Sequence, residues 1–498
     1  MIILTRFPFV HSDETWLSGL SRNILETGNY AVTETFFDLY PRHPHAIKSL
    51  FHSIQIIFIS CFGYDIFTVR MVSFLFGLLT LLWFYKLCRH IFDSKNLAFS
   101  ATLFLALDIQ FIYASHFARQ EIILLFVLIF SLHYFLTHLV KIKVVHHFIL
   151  GIIIGLSIGL HPNSFIISLP SVCLYLFHII FTKKLKVSGL LIYTATAACF
   201  ACGYFALSLS FDANFIENYI HYGSQFGVTN PLSSKFPEVL NFYLKLYYGI
   251  SGTYYTPDIR LEFYLFGVAF LASLATLFSL FKEKESPVRE GLISIMLAIL
   301  AVNAGIIFIG RFSQTSIIFL VPLFYILVTY VLRSMKKRLK FYVTPILVVI
   351  IALNSALNIL PYLNHSYDRY LEEIGKVVNK EETVLANLNA EMAFDNRKLY
   401  DYRNLAFLTE NNLTFEQYIL RNHISYIIYP DEMDFIFAYR PAWNQLYGNI
   451  SLYYADMQKF LQTKCQLVYE FSEPTYGMRI AQYINKKDWR IRIYKINQ

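Results

Sequence analysis

The chain has 498 residues, of which 56% are hydrophobic and only 15% charged, where an ordinary soluble domain carries about 25% charge. That balance excludes a disordered chain and argues against a wholly soluble enzyme. Lys and Arg number 42 against 34 Asp and Glu, a formal net charge of +8, so the placement of the basic residues must decide between nucleic acid and membrane as the reason for the excess.

The predicted elements begin with Met1 to Val10, an apolar run half the length of a span and broken by Arg6. Either an amino-terminal span is truncated here or the chain begins outside the membrane on a stub. Between Phe9 and Asp65 lies a first loop region. Thr15 to Leu25 is amphipathic, with Trp16, Leu17, Leu20, Ile24 and Leu25 on one side, which predicts a helix lying at the membrane interface. Ala46 to Phe62 is apolar but carries Lys48, His52 and Gln55; it reads as an interfacial or re-entrant helix, with a true span as the alternative.

A spanning helix needs about 20 mostly apolar residues, because lipid satisfies no backbone polar group. About ten segments approach this criterion. They are Ile66 to Ile91, Leu97 to Ser115, Ile122 to Val140, His147 to Leu160, Phe165 to Phe181, Val187 to Phe211, Leu261 to Phe281, Val288 to Ile309, Thr315 to Leu332 and Phe341 to Tyr362. The pair around His161-Pro162 is short and interrupted by proline.

The loops alternate in charge. Arg89 to Lys95, Lys141 to His147, Lys183 to Lys186, Lys282 to Arg289 and Arg333 to Lys340 are basic, and all fall on one side of the alternation. The positive-inside rule places that side in the cytoplasm. The excess charge is therefore a topology signal, since a nucleic-acid footprint would gather on one soluble face. The other side carries the first loop and the tail. From Asn364 onward the composition turns polar and mixed, with strand-like runs at Val384 to Leu388, Ile424 to Tyr429, Gln466 to Phe471 and Trp489 to Ile496 and a helix-like run at Phe415 to Asn422. This predicts a mainly α, polytopic helix bundle over residues 1–362, followed by a soluble extracytoplasmic α/β domain over 363–498.

The first loop opens with His11-Ser12-Asp13-Glu14. Two readings are open: capping of the following helix, with acids at its positive end, or a general base in an outer cavity. Spacing alone favours capping. Asp108 is an acid inside a predicted span, where an ionisable group is functional by default unless water reaches it. Cys199 and Cys202 share a helix at i, i+3 and read as packing. Gly151, Gly155 and Gly159 form a small-residue helix face. No phosphate-binding loop, dinucleotide fingerprint or zinc helix is present, which leaves a soluble nucleotide-sugar site without support.

Several motifs recur in a meaningful order. They are His11 to Trp16 followed by Ser21-Arg22-Asn23-Ile24-Leu25-Glu26-Thr27-Gly28, then Pro41-Arg42-His43-Pro44-His45-Ala46, Val69-Arg70-Met71-Val72-Ser73-Phe74-Leu75-Phe76-Gly77, Ser115-His116-Phe117-Ala118-Arg119-Gln120-Glu121 and Gly159-Leu160-His161-Pro162-Asn163. In this order they resemble the family 39 glycosyltransferases, polyprenyl-phosphate-sugar-dependent enzymes of GT-C fold that include the dolichyl-phosphate-mannose–protein mannosyltransferases. The resemblance is ordered over the first third of the chain and agrees in topology to Tyr362; the tail is less diagnostic.

The resemblance implies that Asp13 is the catalytic carboxylate, with Glu14 beside it. It implies a hexosyl or pentosyl transferase moving sugar from an undecaprenyl- or dolichyl-phosphate donor to an extracytoplasmic protein, lipid or glycan by inverting displacement. One base suffices for that reaction, whereas a retaining glycosidase needs two carboxyls about 5 Å apart. The leaving phosphate needs cations; Arg42, His43, Lys48 and Arg311 are the candidates, the last at the mouth of a late span. Arg70 and Arg260 also face outward, with snorkelling as the plain alternative for Arg70 and Arg311. Arg119, Glu121 and His161 would line the cavity wall. No metal ligand is assigned, although His43, His45 and Glu14 permit a divalent ion. The expected location is a bacterial inner membrane, with lipid-linked donor, acceptor and bilayer as partners and no nucleic acid. The rival class is a transporter or flippase, against which stand the missing pseudo-symmetric halves and the gathering of charge at the outer face.

Overall fold

The computed structural model describes residues 3–40, 42–250, 255–280, 287–310, 312–473, 475–477, 479 and 489–497. Two helices precede the bundle, α1 (Ser12–Thr27) and α2 (Ser49–Phe62). At 14 residues α2 is too short to cross a bilayer, which settles the alternative left open by its composition. The bundle follows: α3 (Ile66–Phe92), α4 (Lys95–Leu107), α5 (Ile109–His116), α6 (Glu121–His138), α7 (Val144–Ser157), α8 (Ser164–Ile180) and α9 (Val187–Phe211). Two amphipathic helices, α10 (Phe215–Ser224) and α11 (Leu232–Tyr247), lead to α12 (Arg260–Leu280), α13 (Pro287–Ile309), α14 (Val321–Ser334) and α15 (Lys337–Ile359).

Of the ten expected spans, seven are helices long and apolar enough to cross a membrane among the described residues. An eighth is the pair α4 and α5, bent by 64°. Asp108 explains the bend. Its carboxylate caps α5 by accepting the Phe111 N–H at 2.8 Å and takes the Tyr325 hydroxyl at 2.8 Å. The intramembrane acid is thus a helix cap. The remaining two, α7 and α8, have 14 and 17 residues and flank the His161-Pro162 turn. Gly151 and Gly155 let α7 meet α9 closely: a Cβ on either would lie 2.6–2.7 Å from the Cβ of Thr196 or Phe200. Cys199 and Cys202, expected to pack, are instead free and exposed on the outside of α9.

The basic loops gather at one end. Lys184, between α8 and α9, pairs with Glu290 at the start of α13 at 2.5 Å. Gly291 of the same turn lies against Ile91 and Tyr330, at the ends of α3 and α14. The opposite end carries α1, α2 and the tail.

The tail comprises α16 (Tyr367–Gly375), β1 (Val384–Ala386), β2 (Leu399–Asp401), α17 (Phe415–Arg421), β3 (Tyr426–Pro430), α18 (Glu432–Tyr439), α19 (Tyr454–Lys464), β4 (Cys465–Ser472) and β5 (Arg490–Ile496). The strand order is β2-β1-β3-β5-β4, with β2, β1 and β3 parallel and β5 antiparallel to both its neighbours. Alternation along the strands divides the sheet into two faces. Val384, Ala386, Ile428 and Ile493 point into a core that is continuous with the helix bundle, whereas Leu385, Ile427 and Tyr429 pack under α17, α18 and α19. The expected soluble lobe is therefore seated on the bundle through a shared apolar core.

The expected interfacial placement of α1 is also corrected. Leu17, Ser18, Ser21, Arg22 and Ile24 are buried, with α1 packed on α2 and on the Leu388–Ala393 turn of the tail. Gly19 permits the approach, since a Cβ there would strike the Phe36 ring at 2.8 Å.

Candidate active site

The site grows from the first turn of α1. His11 caps it: its Nδ1 accepts the Asp13 N–H at 3.0 Å, and its own N–H donates to Glu14 Oε2 at 3.1 Å. Burial is the main force lowering the His11 pKa to about 4, so the ring is neutral near pH 7 and can keep accepting.

Glu14 and Asp13 are adjacent, so they leave the helix about 100° apart and meet different surroundings. Glu14 is fully buried. Arg70 clamps it bidentately, Nε to Oε1 at 2.8 Å and Nη2 to Oε2 at 2.7 Å, and the Ala118 N–H adds a bond at 2.9 Å. Arg70 Nη1 also donates to the Leu4 and Pro8 carbonyls, both at 2.9 Å. Glu14 therefore ties α1 to α3 and to the α5–α6 turn and has no capacity left for a reacting proton or a metal. The expectation that Glu14 stands beside Asp13 at the reacting site is corrected: Glu14 is a buried structural acid. Arg70 neither snorkels nor faces a ligand; it is Glu14's buried partner.

Asp13 retains 16% side-chain exposure and bonds Arg119 Nη1 at 3.0 Å. Arg119 Nη2 reaches Glu121 Oε1 at 2.9 Å, which also accepts the Thr315 hydroxyl at 2.9 Å. Arg119 thus bridges two acids, and the expected cavity-wall pair is assembled at the turn that presents Asp13. Glu121 Oε2 is buried without a hydrogen-bond partner among the described residues, beside a small void bounded by Gln110, Tyr113 and Phe117.

One turn further along α1, Trp16 begins a cationic, aromatic cleft. The Arg42 guanidinium lies 4.7 Å from the Trp16 ring, 4.5 Å from Phe37 and 4.7 Å from Tyr40. Lys48 Nζ lies 4.7 Å from Trp16. Arg42 Nε is buried with no hydrogen-bond partner among the described residues. Trp16, Arg42 and Lys48, with Glu34, His43 and Tyr222, line a cavity of about 90 Å³, room for a phosphate group or about three waters at about 30 Å³ each. Lys48 holds φ at 94°, a conformation that strains a residue with a side chain and that collects at functional sites. His43 sits at the rim, its Nδ1 3.6 Å from Asp212 Oδ2. His45 is half-buried behind it, its pKa lowered to about 4 chiefly by desolvation.

Other expectations fall elsewhere. His161 lies in the α7–α8 turn, its Nδ1 accepting the Asn163 N–H at 3.1 Å, and the nearby Gly159 carbonyl receives the Leu50 and Phe51 N–H groups. It backs the start of α2. Arg260 pairs with exposed Asp258. Arg311 lies outside the described residues. Lys235 of α11 caps α13, donating to the Val228 carbonyl at 2.6 Å and the Phe308 carbonyl at 2.9 Å; cations suit a helix C-terminus. No group of three or more His, Cys, Asp or Glu that could hold a metal ion occurs among the described residues.

Sequence reasoning missed the tail's contribution. Arg22 pairs with Glu391 and donates to the Phe394 carbonyl at 2.8 Å; Asn389 donates to the Val10 carbonyl at 3.0 Å. Arg403 lies 5.0 Å from the Phe37 ring. Nothing local in the tail marks these residues, because their partners are more than 360 positions away.

Comparison with known proteins bears on the fold. Residues 48–205 match the model of the dolichyl-phosphate-mannose-protein mannosyltransferase family. ArnT from Cupriavidus metallidurans, in a crystal structure bound to undecaprenyl phosphate, aligns at 13% identity over 99% of this chain and 95% of its own, with a TM-score of 0.58. The Archaeoglobus fulgidus oligosaccharyltransferase, in complex with zinc and sulfate, aligns at 13% identity over 96% of this chain and 70% of its own, with a TM-score of 0.56. AglB from the same organism, in complex with an inhibitory peptide and a dolichol-phosphate, aligns at 13% over 86% and 67%, with a TM-score of 0.52. No curated protein matches the chain. The fold is that of the GT-C glycosyltransferases. Over residues 48–205 the sequence is similar to the mannosyltransferase family in particular.

Proposed function

We propose that this chain is an integral membrane glycosyltransferase that takes its sugar from a polyprenyl-phosphate donor, with Asp13 as the base. The observation that carries the reading is the placement of one partly exposed carboxylate, Asp13, a helical turn from the Arg42–Lys48 cleft at the mouth of a membrane bundle. The undecaprenyl phosphate in ArnT and the dolichol-phosphate in AglB support a lipid-phosphate donor for the same fold.

The acceptor hydroxyl gives its proton to Asp13 as its oxygen attacks the anomeric carbon. The carbon–oxygen bond to phosphate breaks on the opposite face, its electron pair leaves on polyprenyl phosphate, and the configuration inverts. Arg42 and Lys48 receive the charge that develops on the leaving group. Arg119 orients the Asp13 carboxylate and offsets its charge where the anionic donor approaches. Glu14, Arg70 and His11 hold the turn in place. His43 borders the cleft, and Arg311 belongs to the same reading as a third phosphate cation. The tail faces the non-cytoplasmic side of a bacterial inner membrane, because the basic loops occupy the other end.

Removing the protein should cause a lipid-linked sugar to accumulate, visible by mass spectrometry of the membrane lipids. Wild-type protein should clear it and D13N should not. Clearance by D13N at the wild-type level would remove Asp13 from the chemistry.

A further inference from the structure

We propose that the tail supplies a further phosphate-binding group beside the cleft, Arg403, which shares the Phe37 ring with Arg42. This rests on the glycosyltransferase reading and names what its cleft binds. The Phe37 ring lies 4.5 Å from the Arg42 guanidinium and 5.0 Å from that of Arg403. Its centroid is 6.5 Å from that of Trp16, the residue one turn beyond Asp13. Two guanidinium groups from opposite parts of the chain thus share one aromatic ring beside the catalytic turn.

Arg403 is held by its stem side only. Its backbone N–H and Nε both donate to Asp401 Oδ1, at 2.8 and 3.1 Å. Asp401 is fully buried and is fixed in turn by Arg479 and by the Leu388 N–H at 2.8 Å. The outer Nη groups have no hydrogen-bond partner among the described residues, and the side chain is 27% exposed. A planar fork fixed at one edge and open at the other suits bidentate capture of a phosphate. Asp401 neutralises only part of the positive charge, since Arg479 lies on its other oxygen. Arg403 and Arg479 both act on His11, opposing its protonation, which places their field at the base of Asp13.

The same chemistry can come from two sources: the lipid phosphate of the donor, or a phosphate on the acceptor. Full-length protein in nanodiscs is titrated with undecaprenyl phosphate and separately with inorganic phosphate, read by fluorescence of the tryptophans, of which Trp16 lines the cleft. R403Q is compared with wild type, with R403K, and with D13N as a control for the base. R403Q should weaken one of the two ligands about tenfold or more, with partial rescue by R403K. Loss for undecaprenyl phosphate assigns Arg403 to the donor. Loss for inorganic phosphate alone assigns it to an acceptor group. Unchanged binding of both ligands by folded R403Q would overturn the proposal. Because binding is read without turnover, this failure is distinct from failure of the glycosyltransferase reading, in which wild type binds phosphate but transfers no sugar.

Discussion

Asp13 and Glu14 show how neighbouring identical chemistries part company. Glu14 sits in a dry clamp with Arg70 and accepts bonds on both oxygens; Asp13 faces the opening and answers only partly to Arg119. Breaking a buried ion pair from one side strands the partner's charge, so E14Q should destabilise the protein by about 3–5 kcal/mol, read as a lowered melting midpoint in detergent. D13N should leave the melt nearly unchanged. The sequence showed that this doublet matters, because its resemblance to a known loop is carried by the residues themselves. It singled out Asp13 by that resemblance, but not the buried clamp that ties Glu14 to Arg70, 56 positions downstream. Arg403 was illegible for the same reason: its relation to Phe37 and Arg42 exists only once the tail is seated.

The elements were largely legible where one rule governs them. Long apolar runs gave α3, α6, α9, α12 and α13, and alternation gave β1, β3, β4 and β5. The three-residue β2 escaped because Leu399–Asp401 is too short to show a period. The α1 helix was recognised, but its amphipathic face was assigned to lipid, whereas the tail and α2 cover it. Its cap gives a pH prediction. The pKa values of buried His11 and half-buried His45 are lowered to about 4, so both are neutral near pH 7. Their contribution to stability is therefore complete above about pH 6.5, the value of free histidine, and is lost as pH falls toward 4. Glu391, raised to about 7 mainly by burial, works the other way: protonation on acidification favours the folded junction. Hydrogen-exchange protection factors, which divide out the intrinsic pH dependence, should thus fall between pH 7 and pH 4 at the start of α1 and around His45 before they fall at the Arg22–Glu391 contact. Uniform protection across that range would contradict the neutral histidines.

At the scale of the whole molecule, charge placement did most of the work. The alternation of basic loops with outward acids and cations gave the sequence its polarity; in the structure Lys184 meets Glu290, and Asp13 gathers with Arg119. What the sequence could not supply is the joint between bundle and sheet. Its apolar face is built from alternate strand residues whose counterpart is the helical core. The central claim is that Asp13 takes the acceptor's proton at a cleft that holds a lipid phosphate. The direct test is transfer by purified, reconstituted protein from an undecaprenyl-phosphate sugar, with wild type and D13N assayed side by side for both turnover and undecaprenyl phosphate binding. Loss of a general base costs about 10²–10⁴-fold in rate, so D13N should bind like wild type and lose at least about 100-fold in turnover. A D13N protein that turns over at the wild-type rate would contradict the account.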